Sequence, residues 1–216
     1  MKRIFPIILC LVLSLSLVAC TSTQQSTPTS SQSQSEQSQD TSAPDKSVQP
    51  TTESGGKQSD KNILVVYFSW SGNTGKMART IAEQTNGEVF EIVPVDSYPE
   101  DYNECTEVAL AERDENARPQ IQNLPESLDK YDQIFIGYPI WWHTAPMIIG
   151  TFLENYDLNG VDIYPFSQSA SMNEEQFEQS IEFVKTCAGK GTVHDGLFSN
   201  SSDSEAISAY ISQITN

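Results

Sequence analysis

The sequence predicts a doubly wound α/β fold around a five-stranded parallel sheet, and three observations carry that expectation. Asn62–Phe68 and Gln133–Tyr138 are continuous apolar, β-branched or aromatic runs, the pattern of central parallel strands covered on both faces. Strand-like and helix-like segments alternate from about Asp60 to Asn216, as a parallel sheet with crossover helices requires. Small polar or aromatic loops follow three of the strands, on the edge where such sheets hold ligands.

The elements follow in order. Asn62–Phe68 is the first strand and Ser69–Gly75 a small polar loop. Lys76–Thr85 places Met77, Ala78, Ile81 and Ala82 at helical spacing, and Asn86-Gly87 closes that helix. Glu88–Val95 is the second strand, Ser97–Asn103 a Pro/Tyr/Asp loop and Glu104–Glu115 a helix. Gln133–Tyr138 is the third strand, followed by the loop Pro139–Thr144 and the helix Ala145–Tyr156. Asp162–Phe166 is the fourth strand and Ser167–Met172 its loop. Asn173–Ala188 is a helix opened by an Asn cap with Glu in its first turn. A short fifth strand at Thr192–His194 and a helix over Ser204–Ile214 complete the chain.

The remaining residues form two appendages. Met1–Arg3 is basic, Ile4–Val18 is almost wholly apolar, and Leu17-Val18-Ala19-Cys20 follows. This is the layout of a secretory signal, and the apolar run is short for a membrane span. Its ending resembles the bacterial lipoprotein signal, which implies that Cys20 carries a lipid and tethers the protein to the outer face of the cell membrane. Residues 21–59 are rich in Ser, Thr and Gln and lack the apolar surface that offsets ordering entropy, so they read as a flexible linker. Residues 60–216 form the folded domain. Cys105 and Cys187 fall on two non-adjacent crossover helices and are expected to be free, half-buried thiols.

Charge excludes some functions. The formal charge is −17, and residues 60–216 hold 25 acidic against 8 basic side chains. A nucleic-acid backbone or an anionic lipid surface needs the opposite sign. A basic protein partner suits it.

The three loops carry the chemistry. Ser69-Trp70-Ser71-Gly72-Asn73-Thr74 lies between a strand and a helix amino terminus, where backbone N–H groups and the helix dipole attract an anion. Gly75-Lys76 looks like the end of a nucleotide P-loop. However, no Gly stands five positions earlier, Met77 replaces the metal-binding hydroxyl, and the dinucleotide G-x-G-x-x-G is absent. Pro139-Ile140-Trp141-Trp142-His143 sets two indoles beside that anion site, which suits a planar conjugated ligand. Either ring is equally readable as core.

These motifs resemble a known family. Strand–Ser-x-Ser-Gly-Asn-Thr–helix is similar to the phosphate loop of flavodoxins. Tyr138-Pro139-Ile140-Trp141-Trp142, Asp96–Tyr102 and Pro165-Phe166-Ser167-Gln168-Ser169 resemble the bacterial flavodoxin-like family, related to flavodoxins and FMN-dependent quinone reductases. The resemblance covers residues 61–216 and implies the strand order 2-1-3-4-5 and FMN as cofactor. It implies that Ser69, Ser71, Gly72, Asn73 and Thr74 hold the phosphate. Pro139, Ile140, Trp141, Trp142 and His143, with Ser167, Gln168, Ser169 and Ala170, would meet the ring. Family members often carry Gly in the third loop; this chain has none there.

What the protein does with a flavin is left between three readings. It carries electrons between membrane-side partners, or reduces quinones with NAD(P)H, or captures flavin without turnover. His143 is the candidate hydrogen-bond or proton donor near the ring, and His194 reads as structural. Tyr98 and Tyr102 either wall the pocket or pack the long loop. No metal-ligand cluster and no hydrolytic triad stands out. The anchor gives the first testable outcome: Cys20→Ala protein leaves the membrane fraction on cell fractionation. Partitioning at the parental level would contradict the assignment.

Overall fold

The computed structural model describes residues 61–215. The signal segment 1–20, Cys20 and the 21–59 linker lie outside the described residues. The elements run β1 (Ile63–Tyr67), α1 (Asn73–Thr85), β2 (Glu88–Glu91), α2 (Tyr102–Asp114), β3 (Gln133–Gly137) and α3 (Met147–Glu154). They continue with β4 (Asp162–Ser167), α4 (Glu174–Cys187), β5 (Thr192–Val193), β6 (Leu197–Phe198) and α5 (Ser204–Thr215). All pairings between these strands are parallel, in the order β2-β1-β3-β4-β5, with β6 also on β4. The expected fold and strand order are those observed.

The alternation of side chains along each strand divides the core in two. Leu64, Val66, Ile134, Ile136 and Ile163 face one layer, with Ile149, Phe152, Phe177 and Val184 of α3 and α4. Ile63, Val65, Tyr67, Phe135 and Phe166 face the other, with Met77, Ile81, Ile207 and Ile211 of α1 and α5. All residues of β1 and β3 are buried, which is why both read as unbroken apolar runs.

Boundaries differ from the expected ones for local reasons. α1 begins at Asn73, three residues before Lys76, because the chain turns at Gly72 with φ 84°. β2 stops at Glu91, and Pro94 instead forms an isolated antiparallel bridge with Ile121. Proline has no N–H to continue a ladder. α3 begins at Met147 and not Ala145, since the residue before Pro146 is held out of the helical region.

The fifth strand position is broken. β5 pairs with Asp162 and Ile163, and β6 with Phe166 and Ser167, leaving one more residue between them than β4 has. The carbonyls of Ile163 and Ser167 accept from His194 N–H and Ser199 N–H, while that of Phe166 accepts from Tyr138 N–H. By this alternation Pro165 turns its missing donor toward the broken strand, where a bulge needs none. A two-residue strand such as β6 leaves no periodicity to read. His194 is structural in this position: its ring stacks on Tyr164 at 4.6 Å and its Nε2 lies 2.8 Å from Asp162.

Cys105 and Cys187 are free, as expected, but fully buried and not half-buried. Burial, then the neighbouring Glu154 carboxylate, pushes the Cys187 thiol up to about 12. Arg118 clamps Glu154 with two bonds of 2.7 Å across the same corner.

One carboxyl in the fold titrates against its ordinary range. Glu112 accepts a 2.8 Å bond from Tyr98 Oη, yet burial raises its pKa beyond what that bond lowers. A raised folded-state pKa gives stability that is complete below the unfolded value and lost as pH rises through the folded one. Glu112→Gln keeps an acceptor for Tyr98 without the buried charge. Its urea midpoint is expected to exceed the parent's at pH 7, with the difference vanishing below about pH 4. A lower midpoint at pH 7 would contradict this.

Candidate functional site

β1, β3 and β4 end on one edge, and the chain leaves β1 and β3 in opposite directions, to β2 and to β4. Crevices at such reversals are where open α/β sheets take ligands. A cleft of about 520 Å³ opens there, within the size range of cofactor pockets.

The first loop is held from both sides. Trp70 Nε1 donates to the Pro99 carbonyl at 2.9 Å, and its ring packs against Tyr102. Asn73 Nδ2 donates to Ser71 Oγ at 3.2 Å. Gly72 has the left-handed φ that an L side chain resists, and a Cβ there would meet nothing within 4 Å. Gly75 is tighter: its Cβ would fall 2.9 Å from the Tyr67 ring, so α1 lies close on β1 only with glycine. No side chain caps α1 and no acidic residue occupies its first turn. The hydroxyl of Ser69 is buried with no hydrogen-bond partner. An open helix end, entered through a loop that holds an unpartnered hydroxyl, is suited to an oxyanion.

The second loop is a two-residue hairpin. Trp141 and Thr144 exchange N–H···O bonds of 3.0 Å each way, and Trp142 and His143 have φ of 50° and 63°. Positive φ at both central residues is the type I′ pattern, which favours Asn-Gly. A tryptophan and a histidine there are strained, and such strain concentrates at functional sites. The two indoles divide the work. Trp141 packs edge-on against Phe68 and Tyr98, at 5.4 and 5.0 Å between centroids. Trp142 stands 40% exposed, its Nε1 bonded to the Thr106 carbonyl at 2.9 Å and Arg113 over its ring.

The third loop is tied to the second through Ser167, whose buried hydroxyl donates to the Tyr138 carbonyl at 2.6 Å. Ser169 Oγ accepts from the N–H groups of Ser171 and Met172 at 3.2 and 3.0 Å. No residue from 167 to 172 has positive φ. The loop therefore has no backbone need for a glycine.

Most of the expected residues converge. Ser71, Asn73, the whole of Pro139–His143 and Gln168–Ala170 line the cleft. Ser69, Gly72 and Thr74 shape the first loop without lining the cleft, and Ser167 joins two loops from beneath. The two tyrosines separate: Tyr98 packs the loop, whereas Tyr102 lines the cleft. Sequence reasoning missed the wall that α2 supplies through Cys105, Thr106 and Ala109. Burial, with Glu112 nearby, raises the Cys105 thiol, so it stays protonated and a poor nucleophile. The Asp101 cap, which accepts from Asn103 and Glu104 N–H, was the readable signal that a helix starts beside the Tyr-rich loop.

His143 is exposed, with Gln176 Nε2 3.5 Å from its ring. Its left-handed backbone costs about 1–2 kcal/mol. His143→Gly is expected to stabilise the protein by about 1 kcal/mol in urea unfolding. A loss of stability would show that the His143 side chain outweighs the strain.

The comparisons with known proteins agree with this geometry. A family model described as flavodoxin matches residues 62–214. A candidate flavoprotein from Bacteroides eggerthii is 32% identical, with a TM-score of 0.65, over 73% of this chain and 99% of that one. A second, from Bacteroides uniformis, is 31% identical with a TM-score of 0.62, over 70% and 98%. A flavoprotein from Lactobacillus acidophilus, solved in complex with FMN, is 26% identical with a TM-score of 0.54, over 68% and 99%. No curated protein matches the chain. The fold, the cleft at its carboxyl edge and the match over 62–214 together place the chain in the flavodoxin family.

Proposed function

We propose that this protein binds FMN in the carboxyl-edge cleft and carries electrons at the outer face of a cell membrane, tethered through Cys20. The observation that carries the cofactor reading is the amino end of α1, uncapped by any side chain and preceded by a loop that holds the unpartnered Ser69 hydroxyl. Ser69, Ser71, Gly72, Asn73 and Thr74 would hold the phosphate with backbone and side-chain donors and without a cation. Pro139–His143 and Gln168–Ala170 would flank the ring, with Ser167 fixing the spacing of those two loops. The FMN complex of the Lactobacillus relative supports this choice of flavin.

When bound, FMN supplies one- and two-electron redox chemistry, and the protein sets its orientation and potential. The residues present serve that role. Trp141 is locked by Phe68 and Tyr98, and Trp142 by Thr106, so the aromatic walls hold their places. No Lys or Arg lines the cleft among the described residues. The excess of carboxylates disfavours added negative charge on a reduced ring. The same charge would guide a basic partner protein, an attraction that salt weakens.

Potentiometry on the purified protein tests this reading. The hydroquinone couple is expected below that of free FMN. A couple at or above the free value would contradict the electrostatic account. Gly72→Ala places a Cβ at φ 84° and is expected to cost about 1 kcal/mol of stability in urea unfolding, with or without FMN; parental stability would contradict the strained turn.

A further inference from the structure

Behind the cleft wall lies a titratable pair that holding a flavin does not require. Cys105 and Ala109 line the cleft from α2, and Glu112 follows Ala109 at a spacing of three on the same helix face. The Glu112 carboxylate accepts a 2.8 Å bond from Tyr98 Oη. The Tyr98 ring lies against Phe68 and, edge-on at 5.0 Å, against Trp141, which lines the cleft from the second loop. Glu112 thus sits one layer of side chains behind the cleft.

Its neighbours do little to offset its charge. Tyr98, from the loop after β2, donates its hydroxyl, and burial keeps that phenol protonated. Cys105, two turns back on α2, is a neutral thiol, raised by burial and by Glu112. Arg113 is paired with Asp114, and Glu115 is exposed. On α3, which packs against α2, Glu154 is held by Arg118. Both guanidiniums are engaged by other carboxylates, and burial raises the Glu112 pKa beyond what the Tyr98 bond lowers. A carboxylate already disfavoured in this way responds readily to a further negative charge nearby.

We propose that Glu112 is a proton acceptor coupled to the flavin: it takes a proton from water when a flavin in the cleft is reduced, and returns it when the flavin is oxidised. The inference rests on the FMN reading of the cleft. Electrons reach the ring from an external donor, and the bond formed at Glu112 is the carboxyl O–H. The phenolic proton stays on Tyr98, since a neutral carboxyl oxygen accepts its bond as the carboxylate does. Charge added to the ring makes the Glu112 carboxylate harder to form. The flavin potential therefore falls with rising pH across the interval where Glu112 ionises.

Full-length protein loaded with FMN is titrated on a mediated electrode from about pH 4 to about pH 9, beside Glu112→Gln and Tyr98→Phe. Glu112→Gln is expected to match the parent potential at the acid end, where both side chains are neutral, and to lie above it at the alkaline end. Tyr98→Phe is expected to move this separation to higher pH, because the lost bond had lowered the Glu112 pKa. Infrared difference spectra of the parent are expected to gain a carboxyl C=O band on reduction that Glu112→Gln lacks. A constant offset between parent and Glu112→Gln at every pH would overturn the proton site with the FMN reading intact. So would a parent that gains no carboxyl band, or a band that persists in Glu112→Gln. A protein that takes up no FMN would overturn both, and the loading step shows this before any titration.

Discussion

The uncapped amino end of α1 is the feature around which the rest of the cleft is arranged. A helix normally meets its first N–H groups with a side chain, as Asp101 does for α2 and Asn173 for α4. At Gly72 that side chain is missing, and Gly75 one turn on lies close against the Tyr67 ring of β1. The parallel sheet then dictates what surrounds it. Parallel strands deliver the loops that follow them to the same edge, so the indoles of 141 and 142 after β3 and the loop 168–171 after β4 arrive there without a dedicated scaffold.

Rigidity comes from bonds between the loops. Trp70 is bonded to Pro99, Ser167 to Tyr138 and Trp142 to Thr106, so each loop is fixed by an element other than its own. The strain at Trp142 and His143 belongs to the same design. A type I′ turn with two bulky residues persists because the hairpin bonds of Trp141 and Thr144 and the packing of Trp141 outweigh it.

The legible parts of the sequence were those where one physical demand dominates. β1 and β3 are buried on both faces, so their apolar runs had one reading. The turn into α1 was legible as a candidate anion site because small donors and a glycine occur together between a strand and a helix. The start of α1 was misplaced because Asn73 and Thr74 look like loop residues, whereas the boundary is set by the φ of Gly72. The α2 wall was hidden because that helix buries only Cys105 and Ala109, so its pattern resembles a solvated helix. Its cleft face is recognisable only once the sheet order places it next to Trp142.

The central claim is that the α1 end recognises a flavin by its phosphate. Calorimetric titration of the flavin-free protein with FMN and with riboflavin tests it most directly. The account predicts one-to-one binding of FMN and an affinity for riboflavin at least a hundredfold weaker, about 2.7 kcal/mol for the lost phosphate contacts. Equal affinities, or no binding of either flavin, would contradict it.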